Sequence, residues 1–335
     1  VPADLAIDVH DLTKVFAKGN VRALDGLSFS TPAGTVLGVL GPNGAGKTTA
    51  VRILSTVLVP DGGRASILGL DVVRDAAAVR RTIGLAGQYA AVDENLSGRQ
   101  NLTMIGRLSH MGRTASRRRT EELLEQFGLT HAANRSLKTY SGGMRRRLDL
   151  AAALVAEPPV LFFDEPTTGL DPQTRQDMWA WTERLVREGT TVLLTTQYLE
   201  EADRLADQVV VVDHGRAIAE GTPASLKADL GTTVLLVTLE HEEDGQRAAA
   251  LLAPLGSHPP SVDGSRIEMN VENGAKAGSE AIRTLDGQGI GVIGLVLREP
   301  SLDDVFLQLT GHRPEDEPAP AGPGAPQPTR AGVAQ

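Results

Sequence analysis

GPNGAGKTT, residues Gly41 to Thr49, decides how the rest of the chain is read. A short apolar run, Val36 to Leu40, leads into it, and the helical stretch Ala50 to Leu58 follows. Strand, glycine loop and helix in that order, with the spacing G-x-x-x-x-G-K-[ST], make a P-loop. Gly41, Gly44 and Gly46 free the backbone to turn its amides inward as an anion-binding nest, with Pro42, Asn43 and Ala45 between them and Thr49 closing the motif. The helix that follows adds the partial positive charge of its N-terminus. Lys47 has the reach to pair with β- and γ-phosphates, and the Thr48 hydroxyl is placed to ligate Mg²⁺. A nucleoside triphosphate is the expected ligand.

Composition sets the surroundings. A chain of 335 residues with 41% hydrophobic content can bury one large core or two modest ones. Its net charge of -9 argues against a surface that coats nucleic acid. With no cysteine, disulfides and cysteine-ligated zinc are excluded. The start, VPADLAIDVHDLTK, lacks the basic-then-apolar pattern of a signal peptide. Runs such as Val160 to Phe163 and Val209 to Val212 are strand length, far below the ~20 residues of a membrane span. No direct span is expected, so work at a membrane would need another chain to cross the bilayer.

In chain order, residues 5 to 31 read as two or three strands around a turn at Ala17 to Asn20. Phe16, just before that turn, suits either a core position or a ring for an adenine to stack on. Thr82 to Ala86 reads as a strand running out to Gln88, a glutamine able to reach a metal and an attacking water. Residues 95 to 157 change character, with amphipathic helical stretches near Gly98 to Met111, Ala115 to Phe127 and Gly142 to Ala156. Arg117 to Arg119 and Arg145 to Arg147 read as solvated helix faces. PVLFFD, Pro159 to Asp164, suits a central parallel strand covered on both faces and ends in the acid pair Asp164 and Glu165. In an α/β sheet that end is where ligands bind, so the first acid can hold Mg²⁺ and the second can orient or deprotonate water. Further strands are expected at Thr191 to Thr195, ending at Gln197, and at Gln208 to Asp213.

From about Lys227 the pattern resets to a small α+β unit. Strands are expected at Thr233 to Leu239, Ser265 to Val271 and Gly291 to Leu297, with helices at Glu243 to Leu255 and Lys276 to Gln288. A last helix, Ser301 to Thr310, places Leu302, Val305, Phe306 and Leu309 on one face. That face suits docking on the small domain or a regulatory surface. After Arg313 the tail holds six of the 19 prolines and almost no large apolar residue, the composition of a disordered segment.

YSGGM at Tyr140 to Met144 and FFDEPTTGLDP at Phe162 to Pro172, added to the P-loop, make residues 5 to about 224 resemble the nucleotide-binding subunit of an ATP-binding cassette (ABC) transporter. The resemblance implies an α/β P-loop NTPase: a RecA-like core, an antiparallel β subdomain and a helical subdomain (about 95–157), all within 1–225. A small α+β accessory domain follows at 226–312, then the tail at 313–335. It implies ATP and Mg²⁺ as ligands, with Phe16 against adenine, Gly41 to Thr49 as Walker A and Gln88 as the Q-loop glutamine. Ser141, Gly142 and Gly143 take the signature, Asp164 the metal side of Walker B, Glu165 the catalytic position and Asp171 the D-loop. Family cassettes pair head to tail, so that each ATP lies between one P-loop and the other copy's signature. One set of motifs here therefore implies a second nucleotide-binding subunit, as a homodimer or heterodimer.

Two departures narrow the match. Gln197 stands in LLTTQYLEEAD where the family usually has histidine; it can donate to a γ-phosphate oxygen but cannot act as a charged acid near neutral pH. Met144 replaces the glutamine that commonly ends the signature. With PSLDDVFLQLTG at Pro300 to Gly311, these features look like the daunorubicin-resistance branch of drug-efflux ATPases. That branch works with a separately encoded integral membrane permease, at the cytoplasmic face of the cell membrane. The alternative is a soluble ABC ATPase acting on ribosomes or DNA. Such proteins usually fuse two cassettes or insert long coiled coils, whereas this chain has one cassette, no sustained heptads and no strongly basic arm.

Overall fold

The computed structural model describes residues 5–17, 21–87, 92–228, 233–298 and 300–310. Gln88 and the tail expected to be disordered lie outside them. The chain opens with two long antiparallel strands, β1 (Leu5–Phe16) and β2 (Val21–Pro32), rather than three short ones. β3 (Val36–Leu40) then enters the protein centre with every residue buried, and α1 (Lys47–Leu54) leaves it after the glycine loop. β4 (Gly62–Ile67) and β5 (Leu70–Asp71) return to the first hairpin, giving a four-stranded antiparallel sheet in the order β2-β1-β4-β5. After α2 (Ala76–Thr82), β6 (Ile83–Ala86) joins the central sheet.

A helical section follows: α3 (Gly98–Leu108), α4 (Arg113–Gln126) and α5 (Gly142–Ala153). Ser97 starts α3 with a capping box, its side chain accepting from the Gln100 amide while Gln100 reaches back to the Ser97 amide. The chain then alternates β7 (Val160–Asp164), α6 (Pro172–Arg187), β8 (Thr191–Thr196), α7 (Leu199–Leu205) and β9 (Gln208–Asp213). β10 (Arg216–Gly221) turns back along β9. The central sheet runs β10-β9-β3-β8-β7-β6, parallel apart from the β10 edge.

Continuous apolar strands are what a sheet covered on both faces requires. The period of two sorts their side chains. Leu37, Val39, Phe162, Val160 and Leu193 join the core under α1 and the antiparallel sheet. Val36, Leu161, Phe163, Val192 and Leu194 join the opposite core, with the helical section and α6. Parallel strands with helices on both faces place their carboxyl ends together, and there the P-loop, Asp164 and Gln197 follow β3, β7 and β8.

After α8 (Pro223–Ala228), β11 (Thr233–Leu239) begins a separate sheet. Helix α9 (Gly245–Leu252), β12 (Ser261–Asp263), β13 (Arg266–Val271), α10 (Gly274–Asp286) and β14 (Val292–Arg298) complete it, in the order β12-β13-β11-β14. Leu235, Val237, Ile267, Met269, Leu252 and Leu285 make its own core.

The last helix, α11 (Leu302–Thr310), does not join that core. Leu302, Val305 and Phe306 pack with Leu40, Leu199, Val211 and Leu226 of the first unit. Leu309, expected on the same face, is 41% exposed. The polar start of α11 faces the small sheet. Arg298 of β14 binds Asp304 at 2.6 Å and also pairs with Glu268. Desolvation pushes the Asp304 carboxyl up, but the bonds from Arg298 and Ser301 outweigh it and hold the group below the usual range. The helix is thus an apolar dock on the first unit with an ionic tether to the second.

Candidate nucleotide site

The glycine loop fits its place tightly. Gly46, the residue before α1, has φ +109, and a Cβ there would stand 2.4 Å from the Ala23 carbonyl. A Cβ on Gly41 would meet the Val212 carbonyl at 2.2 Å. Both positions exclude any side chain, because rigid backbone rather than a movable side chain occupies the space. Lys47 is only 5% exposed and donates to the Gly41 and Pro42 carbonyls at 2.5 and 3.0 Å. Its ammonium is folded into the loop that its own backbone builds.

At the end of β7, Asp164 is buried and accepts from the Thr195 hydroxyl at 2.6 Å and the Thr48 hydroxyl at 3.3 Å. Thr48 and Asp164 thus converge as hard oxygen donors from two segments. That suits Mg²⁺, which takes few protein ligands and completes its shell with phosphate and water. Glu165, the next residue, has φ +50, a left-handed conformation unusual for glutamate. Its amide donates to the Thr195 carbonyl (3.0 Å) and hydroxyl (3.1 Å). Its carbonyl accepts from Arg146 at 2.9 Å.

Other predicted residues take separate places. Ser141 caps α5, accepting from the Met144 amide at 3.3 Å, and Ser141 and Gly142 are exposed. The segment expected to be the signature is therefore an outward-facing helix N-terminus with a favourable dipole for an anion. Asp171 caps α6 through the Thr174 amide (2.9 Å) and hydroxyl (2.7 Å), which hold its carboxyl below the usual range. A Cβ at Gly143 would lie 3.5 Å from the Thr174 hydroxyl, so the segments expected to be signature and D-loop are neighbours. Gln197 is half-buried just beyond β8, and Phe16 is half-exposed at the end of β1, outside every core cluster of described residues. Met144 packs at the margin of the helical-side core.

Sequence reading missed three groups. Thr195 holds both acids of the pair. Glu201, 1% exposed, accepts from Thr167 (3.2 Å) and Trp179 (3.1 Å), and burial raises its carboxyl pKa. The third corrects an expectation. Arg146, read as part of a solvated face, turns inward to donate to the Gly87, Glu165 and Pro166 carbonyls. Asp149, three residues on and amid the buried Leu148, Leu150 and Ala151, was the sign that this side of α5 carries charge inward.

Comparison with known proteins gives the family. Residues 24–168 match the family described as ABC transporter, and residues 221–310 match the ATP-binding protein DrrA1-3-like, C-terminal domain. The chain is 54% identical to the daunorubicin resistance ATP-binding protein DrrA2 of Streptomyces coeruleorubidus, over 90% of this chain and 94% of that protein. It belongs to the ATP-binding subunits of ABC transporters. Among solved structures, an ATP-binding subunit of an ABC transporter covers 67% of this chain and 92% of its own, with TM-score 0.62 and 25% identity. A dimeric post-hydrolysis ATP-binding cassette bound to ADP and Pi shares the fold, with TM-score 0.60 and 24% identity over 64% of this chain and 98% of its own. This ABC subunit is an ATPase with the cassette fold, and no helix among its described residues is long and apolar enough to cross a membrane.

Proposed function

We propose that this ABC ATPase is the motor of an exporter for a hydrophobic drug or antibiotic, working as a dimer beneath a separate membrane permease at the cytoplasmic face. The observation that carries the hydrolytic part is the convergence of Lys47, Thr48, Asp164 and Glu165 at one end of the sheet. The drug class and the permease rest on the resistance protein to which the chain is 54% identical. The division into a cassette at 1–225 and an accessory unit at 226–312 is part of the same reading.

In this mechanism the loop amides and Lys47 take the β- and γ-phosphates of ATP, Phe16 lies against adenine and Gln88 completes the approach to the water. Thr48 and Asp164 would hold Mg²⁺, which would supply charge neutralisation on the transferring phosphoryl group. Glu165 orients and accepts a proton from the attacking water. Gln197 positions the γ-phosphate as a hydrogen-bond donor. The Ser141–Gly142–Gly143 amides bind the partner copy's ATP, and Asp171 lies beside them at the contact. A head-to-tail homodimer satisfies both half-sites.

Glu165→Gln tests this. It should lower turnover at least about a hundredfold by removing the base and leave an ATP-bound dimer visible by light scattering. Turnover near wild type would remove Glu165 from its role. Detergent capture of that trapped dimer from native cells should bring a polytopic membrane protein in stoichiometric amount.

A further inference from the structure

Arg146 lies one helical turn inside α5, whose first residues are the signature glycines. Among the described residues its guanidinium makes three hydrogen bonds, all to backbone. Nε donates to the Pro166 carbonyl (2.5 Å), Nη1 to Gly87 (2.8 Å) and Nη2 to Glu165 (2.9 Å). These acceptors belong to two segments that are far apart in sequence: the exit of β6 and the turn after β7.

Nearby acids contribute to its setting without pairing with it. Burial pulls the guanidinium pKa down, and Asp149, Glu201, Asp164 and Glu165 offset that only in part. Yet no salt bridge within 4 Å joins Arg146 to a carboxylate among the described residues. A side chain present only to neutralise those acids would sit on one of them. This one spends its planar fork on carbonyls, a use that lysine cannot reproduce because its ammonium has no fixed spread of donors.

The Glu165 peptide is what the fork acts on. With φ +50 that residue holds a left-handed conformation that persists only where its neighbours fix it. Thr195 fixes its amide and Arg146 its carbonyl. The first anchor belongs to the central sheet and is rigid. The second belongs to the helix whose N-terminus faces outward.

We infer that Arg146 is a positioning residue that couples the seating of α5 to the orientation of Glu165 and to the chain leaving β6. This rests on the proposed role of Glu165. A shift of α5 when its N-terminus engages an anion is then passed, through one side chain, to the base and to Gly87 at the exit of β6. Nucleotide affinity should be spared, because Arg146 touches neither the P-loop nor Asp164.

The test uses the full chain as Arg146→Lys and Arg146→Met, with Arg118→Met as a surface control and Glu165→Gln as reference. Both Arg146 variants should lower kcat about ten- to a hundredfold, the scale of a small misplacement of a catalytic group, with KM for ATP within about twofold. The control should change neither. Wild-type kcat in Arg146→Lys would show that charge alone suffices and overturn the inference. So would a parallel loss of KM and melting temperature in Arg146→Lys. If Arg146→Met fails to fold, the lysine variant alone decides the matter. Should Glu165→Gln retain turnover, the reading of Glu165 fails first; should it abolish turnover while Arg146→Lys is unaffected, only this inference fails.

Discussion

Asp149→Asn should stabilise this protein at neutral pH, and by an amount that shrinks in acid. Burial pushes the Asp149 carboxyl from 3.8 up to about 6, with Arg146 and then Arg145 pulling it partly back. Because the folded pKa lies above the unfolded one, the native state binds the extra proton between these values. Stability is therefore fully present below pH 3.8 and is lost as pH rises through about 6. At about 1.4 kcal/mol per pKa unit, the ionised group costs up to about 3 kcal/mol above pH 7 and about half of that at pH 5. Partial exposure screens the charge, so about 1–3 kcal/mol is the expected gain at pH 7.5. Asparagine keeps the shape and removes the charge. Urea unfolding followed by the fluorescence of Trp179 and Trp181, which pack in the same core as α5, gives the stability at each pH. A gain that does not vary with pH would refute the reasoning. So would a loss at pH 7.5, which would mean that the carboxylate is needed as a counter-charge to Arg146.

Two further outcomes follow from packing. Phe306→Ala removes a ring that is 1% exposed between the two units and should cost about 3–5 kcal/mol in chemical denaturation; a cost below about 1 kcal/mol would mean the helix is not seated there in solution. Gly46→Ala forces a methyl group against the Ala23 carbonyl at a φ that L-residues avoid. It should lower ATP affinity at least tenfold, a change of about 1.4 kcal/mol, in equilibrium dialysis; unchanged affinity would show that the loop relaxes freely.

The nucleotide site was legible because its chemistry is contiguous. Five consecutive apolar residues, a glycine loop and a lysine dictate strand, nest and helix without help from distant chain. Asp164 and Glu165 were legible for the same reason, at the end of VLFFD. What the sequence hid is long-range. Asp149 marks one side of α5 as carrying charge inward, but it does not pick Arg146 over Arg145, which pairs with Glu94 at the surface; only the arrival of Gly87 and Pro166 does. Thr195 read as one more strand residue until β7 was placed beside β8. The face of α11 was readable as apolar, but its partner was not, because Leu40 and Val211 are already accounted for as strand core. Short elements such as α2 and α8 carry too few turns for their periodicity to stand out.

Helix α8 sends Leu226 into the same cluster that later receives Phe306. The small sheet thus leaves the cassette and comes back to it at one spot, as an inserted loop does, rather than trailing off as an appendage. An engineer could treat residues 233–298 as an excisable module, joining α8 to α11 by a short flexible linker while keeping the apolar seat covered. Cutting the chain once, before β11, would do the opposite. It would strip that seat bare, leaving Leu226 and its neighbours open to water and the shortened protein prone to stick to itself.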